Sequence, residues 1–521
     1  MDNIFLSVDC GTQSLRTILF NTEGVILEKV KIEYKPYFSP RAGWAEQDGE
    51  LFWNSFVQGC RELKKISPVA FSAISAVGIT AQRNTFINLD SEGKPLRPII
   101  SWLDNRKAPR HWKPGLFMKL AYAFIGMTET IAKVQCECKS NWIREYEPEI
   151  WNKTWKYLGL STFLNYRLTS CLRDSVASSI GHIPINYKKL KWERKNGQNS
   201  NLFPIDRDKL WELVEPGEIL GSVSGQASDK TGLQAGLPVV ACGSDKGCET
   251  LGVGVLDESR ASLSFGTMAT VQTTSSRYYE PVRFMPAYPA SIPGKFNPEL
   301  TIFRGYWMIR WFKDEFGYEE SEKARLTGQI PEEYLNSLLD EVPVGSLGLL
   351  VHPFWGPSLK KPFEKGSMIG FGGDHKKSHI YRAVLEGLGY ALREGLEKIE
   401  KKSGKTVKKV MVSGGASQSD RICQLSADIF NRTMVRGKTY ETSALGAAIN
   451  MAVGTGIYQT YKDAVEHMVH YEEKEFEPNQ ENVAVYSRLY PIFLKINPLL
   501  NNIFNEIQAA SGYPEKLSNQ K

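Results

Sequence analysis

The stretch that decides the fold runs Ile4-Phe5-Leu6-Ser7-Val8, then Asp9-Cys10-Gly11-Thr12-Gln13-Ser14, then Leu15-Arg16-Thr17-Ile18-Leu19-Phe20. Two apolar runs flank a turn that contains glycine, which is the pattern of a β-hairpin. A second turn, Asn21-Thr22-Glu23-Gly24, leads into a third strand that begins Val25-Ile26-Leu27. Residues 50–65 then carry Leu51, Phe52, Phe56, Val57 and Leu63 at helical spacing. Residues 74–79 read as a buried strand that ends in Thr80-Ala81-Gln82-Arg83-Asn84. A strand meander followed by a helix and another strand is an α/β pattern.

The same order returns in the second half. Ala261-Ser262-Leu263-Ser264, Phe265-Gly266-Thr267 and Met268 to Thr274 repeat the strand, Gly-Thr turn and strand. Residues 381–398 read as a long helix, and 408–412 as a strand ending in Ser413-Gly414-Gly415-Ala416-Ser417. The reading is two similar domains, as a duplication would leave. The expected boundaries are 1–252, 253–475 and a helical tail at 476–521 interrupted by Pro491 and Pro498. A hinge is expected near 250–260.

Length and composition agree. The chain has 521 residues, beyond the ~250–300 that one core supports. It is 42% hydrophobic and 23% charged, which excludes a mainly disordered chain, a collagen and a coiled coil. A net charge of +6 from 64 basic and 58 acidic residues is small for a nucleic-acid binder. No apolar run approaches the ~20 residues of a membrane span. The start of the chain lacks the basic and apolar segments of a signal peptide. Eight cysteines without a paired framework read as reduced thiols, so a cytoplasmic protein is expected.

Several nucleotide and metal motifs are missing. Ser403-Gly404-Lys405-Thr406 lacks the first glycine of a Walker A loop, since position 399 is Ile. No GxGxxG follows a strand, and no HExxH or Cys/His cluster is present. What remains is a set of glycine turns beside hydroxyls and carboxylates. A Gly-Thr hairpin lets a polyphosphate approach the backbone, because no Cβ blocks it. Asp9 beside the first hairpin suits a hydrated Mg²⁺. Two such hairpins, one per half, point to two domains clamping one nucleotide. The Gly414-Gly415 turn precedes a helix over 421–430, whose amino terminus suits a phosphate or ribose. Asp245, in Gly243-Ser244-Asp245-Lys246-Gly247, stands at the mouth of an apolar strand over 237–242. An Asp there takes a proton from an alcohol or caps the following helix.

The motif order is then specific: Asp9-Cys10-Gly11-Thr12, Gly78-Ile79-Thr80-Ala81-Gln82-Arg83, Trp102-Leu103-Asp104-Asn105-Arg106 and Gly243-Ser244-Asp245 come first. Ser264-Phe265-Gly266-Thr267, Ser413-Gly414-Gly415 and Glu441-Thr442-Ser443-Ala444-Leu445-Gly446-Ala447-Ala448 follow. Over residues 4–470 the chain resembles the FGGY family of carbohydrate kinases, which includes glycerol kinase and xylulokinase. The resemblance implies an α/β fold of two RNase H-like (actin/Hsp70-type ATPase) domains around a central cleft. It implies ATP and Mg²⁺ as cofactors and a small sugar or polyol as the partner, and it leaves a homodimer open.

Residue by residue, the resemblance implies Mg²⁺ at Asp9 and Asp245, with Asp245 as the catalytic base. Gly11, Thr12, Gln13 and Arg16 would line the first phosphate loop. Gly266 and Thr267 would meet the outer phosphates, Gly305 would border the nucleotide, and Gly415 and Ser419 would hold its α-phosphate and adenosine side. Gln82, Arg83, Asn84, Trp102, Asp104 and Lys246 would form the substrate side, with Trp102 stacking on a sugar and Asp104 accepting from its hydroxyls.

This side departs from both named relatives. Glycerol kinases carry Gln-Arg-Glu where Gln82-Arg83-Asn84 stands, a Tyr at Val134 and a Gln at Lys246. Xylulokinases carry Gln-Met-His. A pentose, pentulose or sugar alcohol is expected, and Arg83 with Lys246 leaves room for a substrate bearing a carboxylate or phosphate. A nucleotide switch without catalysis and a sugar-sensing pseudo-kinase are the competing readings.

Overall fold

The structure is a computed structural model that describes residues 3–356, 361 and 363–514. Its frame is two six-stranded sheets. The first is built from β1 (Ile4–Cys10), β2 (Ser14–Phe20), β3 (Ile26–Glu33), β4 (Ile74–Ala81), β5 (Ile219–Ser222) and β6 (Pro238–Val240). Across the sheet the order is β5-β6-β4-β1-β2-β3. β1, β2 and β3 form an antiparallel meander, while β4 and β6 run parallel to β1. β5 closes the edge antiparallel to β6. Every residue of β1 is buried, as a strand covered on both faces requires.

The second sheet comprises β7 (Arg260–Phe265), β8 (Ala269–Gln272), β9 (Glu299–Ile302), β10 (Lys409–Ser413), β11 (Thr433–Gly437) and β12 (Tyr471–Phe476). Its order is β9-β8-β7-β10-β11-β12. The pairing directions repeat those of the first sheet: meander, two parallel strands, antiparallel edge. One difference is chain order. β5 precedes its neighbour β6, whereas β12 follows its neighbour β11.

Helices cover both sheets. α1 (Leu51–Ile66) packs on β2 and β3 through Phe52, Phe56, Cys60 and Leu63. α2 (Leu160–Thr169) packs on β4. α3 (Asp245–Gly252) begins just after β6. The second sheet is backed by α4 (Lys377–Ser403) and α5 (Asp420–Phe430). α6 (Thr442–Gly454) comes from the second half but lies on β1 and β4 of the first sheet. Its Ala444, Leu445, Ala448 and Ile449 share a core with Phe5, Ile18, Phe20 and Ala76. Ser7 Oγ donates to the Ala444 carbonyl at 2.8 Å.

α3 and α6 cross at backbone contact. A Cβ on Gly252 would lie 1.9 Å from the Thr442 carbonyl oxygen, and one on Gly446 would lie 2.0 Å from that of Cys248. Only glycine permits so close an approach.

Residues 476–521 depart from expectation. The described part is one helix, α7 (Gln480–Ser511), which runs through both Pro491 and Pro498; residues 515–521 lie outside the described residues. Tyr486, Tyr490, Phe493 and Ile496 bury one stripe of it in the second core. Tyr486 and Tyr490 donate to Glu386 and Glu397 at 3.0 and 2.7 Å. This packing outweighs the backbone hydrogen bonds that the prolines remove. No helix among the described residues is long and apolar enough to cross a membrane.

The crossing is open to test. Gly446→Ala is expected to cost about 1–3 kcal/mol by overpacking, read as a lowered Tm. Gly225→Ala, where a Cβ meets nothing within 4 Å, is expected to change stability by less than about 0.5 kcal/mol. Equal melting of the two variants would show that the crossing is loose.

Candidate active site

The two Gly-Thr turns join β1 to β2 and β7 to β8, at equivalent ends of the two sheets. The first is closed by a hydrogen bond from Gly11 N to Ser14 O at 3.0 Å and braced by Tyr34, whose hydroxyl donates to Gly11 O at 2.7 Å. Gln13 stays exposed at its tip. Thr12 donates to Gln82 Oε1 at 2.7 Å and accepts from the Trp102 indole at 3.0 Å. Three expected site residues are thus chained together, and Trp102 is oriented by the first Gly-Thr turn.

The second turn is supported from beneath. Tyr306 N donates to Gly266 O at 3.1 Å, and Thr267 is exposed at the tip. A Cβ on Gly305 would lie 2.4 Å from Ala269 N, and one on Gly414 would lie 2.9 Å from the Phe265 carbonyl carbon. Both glycines are therefore required by close packing against this hairpin. Gly415 meets nothing within 4 Å and is exposed. After it comes a short 3-10 turn over Gly415–Gln418, then α5. Ser419 is the N-cap of α5, its hydroxyl accepting from Ile422 N at 3.4 Å.

Asp245 is the first residue of α3, but Ser244 caps the helix by accepting from Gly247 N at 3.3 Å. The Asp245 Oδ1 accepts from Lys246 N at 2.8 Å and lies 3.9 Å from Arg83 Nε. Burial raises its pKa, opposed by the charges of Arg83 and Lys246. Asp9 is the last residue but one of β1, 3.2 Å from Arg16. Burial pushes its pKa up to about 6, with Asp245 and Glu441 adding to the rise and Arg16 opposing it. Arg16 also approaches Glu441 at 3.6 Å, and Glu441 takes Lys29 at 3.0 Å.

The carboxylates of Asp9 and Asp245 thus feel each other in a buried setting, which suits a divalent cation. Among the described residues, no group of three or more His, Cys, Asp or Glu stands ready to hold an ion by itself. A pair of carboxylates fits Mg²⁺, which keeps waters and arrives with phosphate oxygens.

Three of the expected substrate-side residues spend their side chains on partners within the protein. Asp104 does not face a sugar. Its side chain is wholly shielded, accepting from Ala45 N at 2.7 Å and from Arg106 N and Nε at 2.8 and 2.9 Å. Lys139 donates to its carbonyl at 2.7 Å. It organises a buried charge cluster instead. Asn84 adopts a left-handed φ of 56° and spends its Oδ1 accepting from His182 N at 3.0 Å. Lys246 turns toward the second hairpin, donating to Glu249 at 2.7 Å and Ser264 Oγ at 2.8 Å. Glu249 in turn accepts from Ser413 Oγ at 2.7 Å.

Arg83 remains beside Asp245 and gains partners that sequence reading missed. Its Nη1 donates to both oxygens of Glu299 at 2.9 and 3.0 Å, and its Nε to Ser244 Oγ at 3.1 Å. Its guanidinium lies 4.9 Å from the Tyr288 ring centroid. Glu299 begins β9, on the second sheet. Nothing in its local pattern marks it. Glu441 stood inside a recognised motif without a role.

Comparison with known proteins places the chain in a family. Residues 4–252 match the N-terminal domain of the FGGY family of carbohydrate kinases, and residues 261–455 match its C-terminal domain. An uncharacterized sugar kinase, YgcE, from Escherichia coli is 30% identical over 93% of this chain and 91% of its own length. A xylulose kinase from Lactococcus lactis is 28% identical over 96% of this chain and 98% of its own. A gluconokinase from Bacillus subtilis is 28% identical over 97% and 98%.

Among solved structures, a xylulose kinase from Lactobacillus acidophilus superposes with a TM-score of 0.82 at 20% identity, over 97% of this chain and 100% of that one. A glycerol kinase from Plasmodium falciparum gives 0.74 at 20% identity, over 95% and 98%. The expected two-domain α/β fold of the actin/Hsp70 type is the one found. The chain belongs to the FGGY family of carbohydrate kinases.

Proposed function

We propose that this chain transfers the γ-phosphoryl group of ATP to a hydroxyl of a small sugar or polyol, a pentose, pentulose or sugar alcohol. The supporting observation is the position of Asp245. It heads α3 with its Oδ1 accepting from Lys246 N at 2.8 Å and lying 3.9 Å from Arg83 Nε, while the Lys246 side chain reaches the second Gly-Thr hairpin. Asp245 then takes the proton from the acceptor hydroxyl as that oxygen attacks phosphorus in line. Gly11, Thr12, Gln13 and Arg16 hold the phosphates from one side, and Gly266 and Thr267 from the other. Gly305, Gly415 and Ser419 border the rest of the nucleotide. Mg²⁺ at Asp9 and Asp245 supplies charge neutralisation on the phosphates when bound. Gln82, Arg83 and Trp102 position the acceptor.

In this reading the chain divides into domains at 1–252 and 253–475, followed by the tail from 476. The two domains close by a hinge near 250–260, at the end of α3, so that water is kept from the phosphoryl group.

A coupled ADP-release assay over polyols, ketoses, aldoses and sugar acids tests the reading. With the best acceptor, Asp245→Asn is expected to lower kcat by about 10²–10⁴-fold and to leave nucleotide affinity intact. A wild-type rate in that variant would remove Asp245 as the base. Asp9→Asn is expected to raise the Mg²⁺ concentration needed for half-maximal rate. An unchanged Mg²⁺ requirement would dismiss Asp9 as a ligand. Small-angle scattering with an ATP analogue plus acceptor is expected to show a smaller radius of gyration than the free protein. An unchanged radius would rule out closure.

A further inference from the structure

Arg83 is the cation nearest the base Asp245, and its charge is already spent. Glu299 reaches across from the second sheet and accepts from Arg83 Nη1 with both carboxylate oxygens, at 2.9 and 3.0 Å. Ser244 takes Nε. The Tyr288 ring covers the guanidinium. Both partners are well shielded, with side chains 16% and 9% exposed for Arg83 and Glu299. The pair is therefore weakly screened and strongly coupled. Nη2 has no partner among the described residues, which leaves two N–H donors for a neutral oxygen.

The other cations around the cleft are matched in the same way. Lys246 is held by Glu249, Arg16 by Asp9 and Glu441, and Lys29 by Glu441. Against these cations stand the carboxylates of Asp9, Asp245, Glu249, Glu299 and Glu441, so acidic groups are in excess. Mg-ATP itself brings net negative charge. An anionic acceptor would have to draw Arg83 away from Glu299. Glu299 would then be left shielded, ionised and facing a like charge, which is costly.

We propose that Glu299 is a specificity-determining residue: by neutralising Arg83 it sets the cleft for an uncharged sugar or polyol and against an aldonate or sugar phosphate. This rests on the phosphoryl-transfer reading and narrows it. Glu299 acts through Arg83 and is a positioning residue. It fixes Arg83 so that Nη2 donates to an acceptor hydroxyl or carbonyl.

The test is steady-state kinetics with Mg-ATP on matched probes: D-xylulose, D-ribulose, xylitol and ribitol against xylonate, ribonate and gluconate. The wild type is expected to favour a neutral probe over every aldonate by about 100-fold or more in kcat/KM. Glu299→Gln is expected to raise KM for the neutral probe by about tenfold with kcat little changed, to leave KM for ATP unchanged, and to improve aldonates so that the gap closes. A merely structural role would weaken both classes alike. Glu299→Asp keeps the charge and is expected to keep the neutral preference, so the idea stays testable should the Gln variant fail to fold.

A wild type that prefers an aldonate, or a Gln variant with an unchanged ratio between classes, would overturn the role of Glu299 and leave the kinase reading standing. Inertness toward all probes, with Mg-ATP bound, would remove the kinase reading and this inference with it.

Discussion

The crossing of α3 and α6 is the constraint on which the rest depends. Glycines at 252 and 446 bring the two backbones to within carbonyl contact, and each helix starts at a functional position. α3 begins at Asp245. α6 begins directly after Glu441, which pairs with Arg16 and Lys29 of the first sheet. α6 also lies on β1, the strand that carries Asp9 and leads into the first Gly-Thr turn. The crossing thus sets where Asp245 stands relative to the first Gly-Thr turn. A bulkier residue at either glycine would move Asp245 and Glu441 together.

Charge is organised around that frame in pairs. Asp9 with Arg16, Arg83 with Glu299 and Lys246 with Glu249 each bring a cation against a carboxylate in a shielded setting. Two of the pairs are joined to the second sheet: Glu299 belongs to β9, and Lys246 also bonds Ser264 of β7. Phosphoryl transfer asks little covalent work of a protein and much positioning. Under the proposed function, pairs fixed from both sheets would supply that positioning.

Much of the frame was legible from residues alone. Unbroken apolar runs beside Gly-Thr turns mark central strands, and their recurrence in the second half marks the second sheet. The two Gly-Thr turns were legible too, because a glycine turn between apolar runs leaves a local trace. The substrate side was not. Asp104 looked like a sugar ligand because its motif is local, yet its partners Ala45 and Lys139 are remote in sequence. Glu299 has no local signature, since its role comes from folding a strand of the second sheet against Arg83. Pro491 and Pro498 looked like helix breaks, but the buried Tyr486, Tyr490 and Phe493 stripe decided otherwise. Long-range partnership was the missing information each time.

The edge strands carry a separate consequence. The two sheets share five strands in the same chain order and the same directions, but the sixth is reached differently: β5 comes before its neighbour, and β12 after. The pattern common to the two halves is therefore five strands, and the sixth comes from a different part of each half. The two additions solve one problem, since an uncovered β6 or β11 would offer a free row of backbone groups to any passing chain. The two halves thus cover the same margin by different routes through the chain.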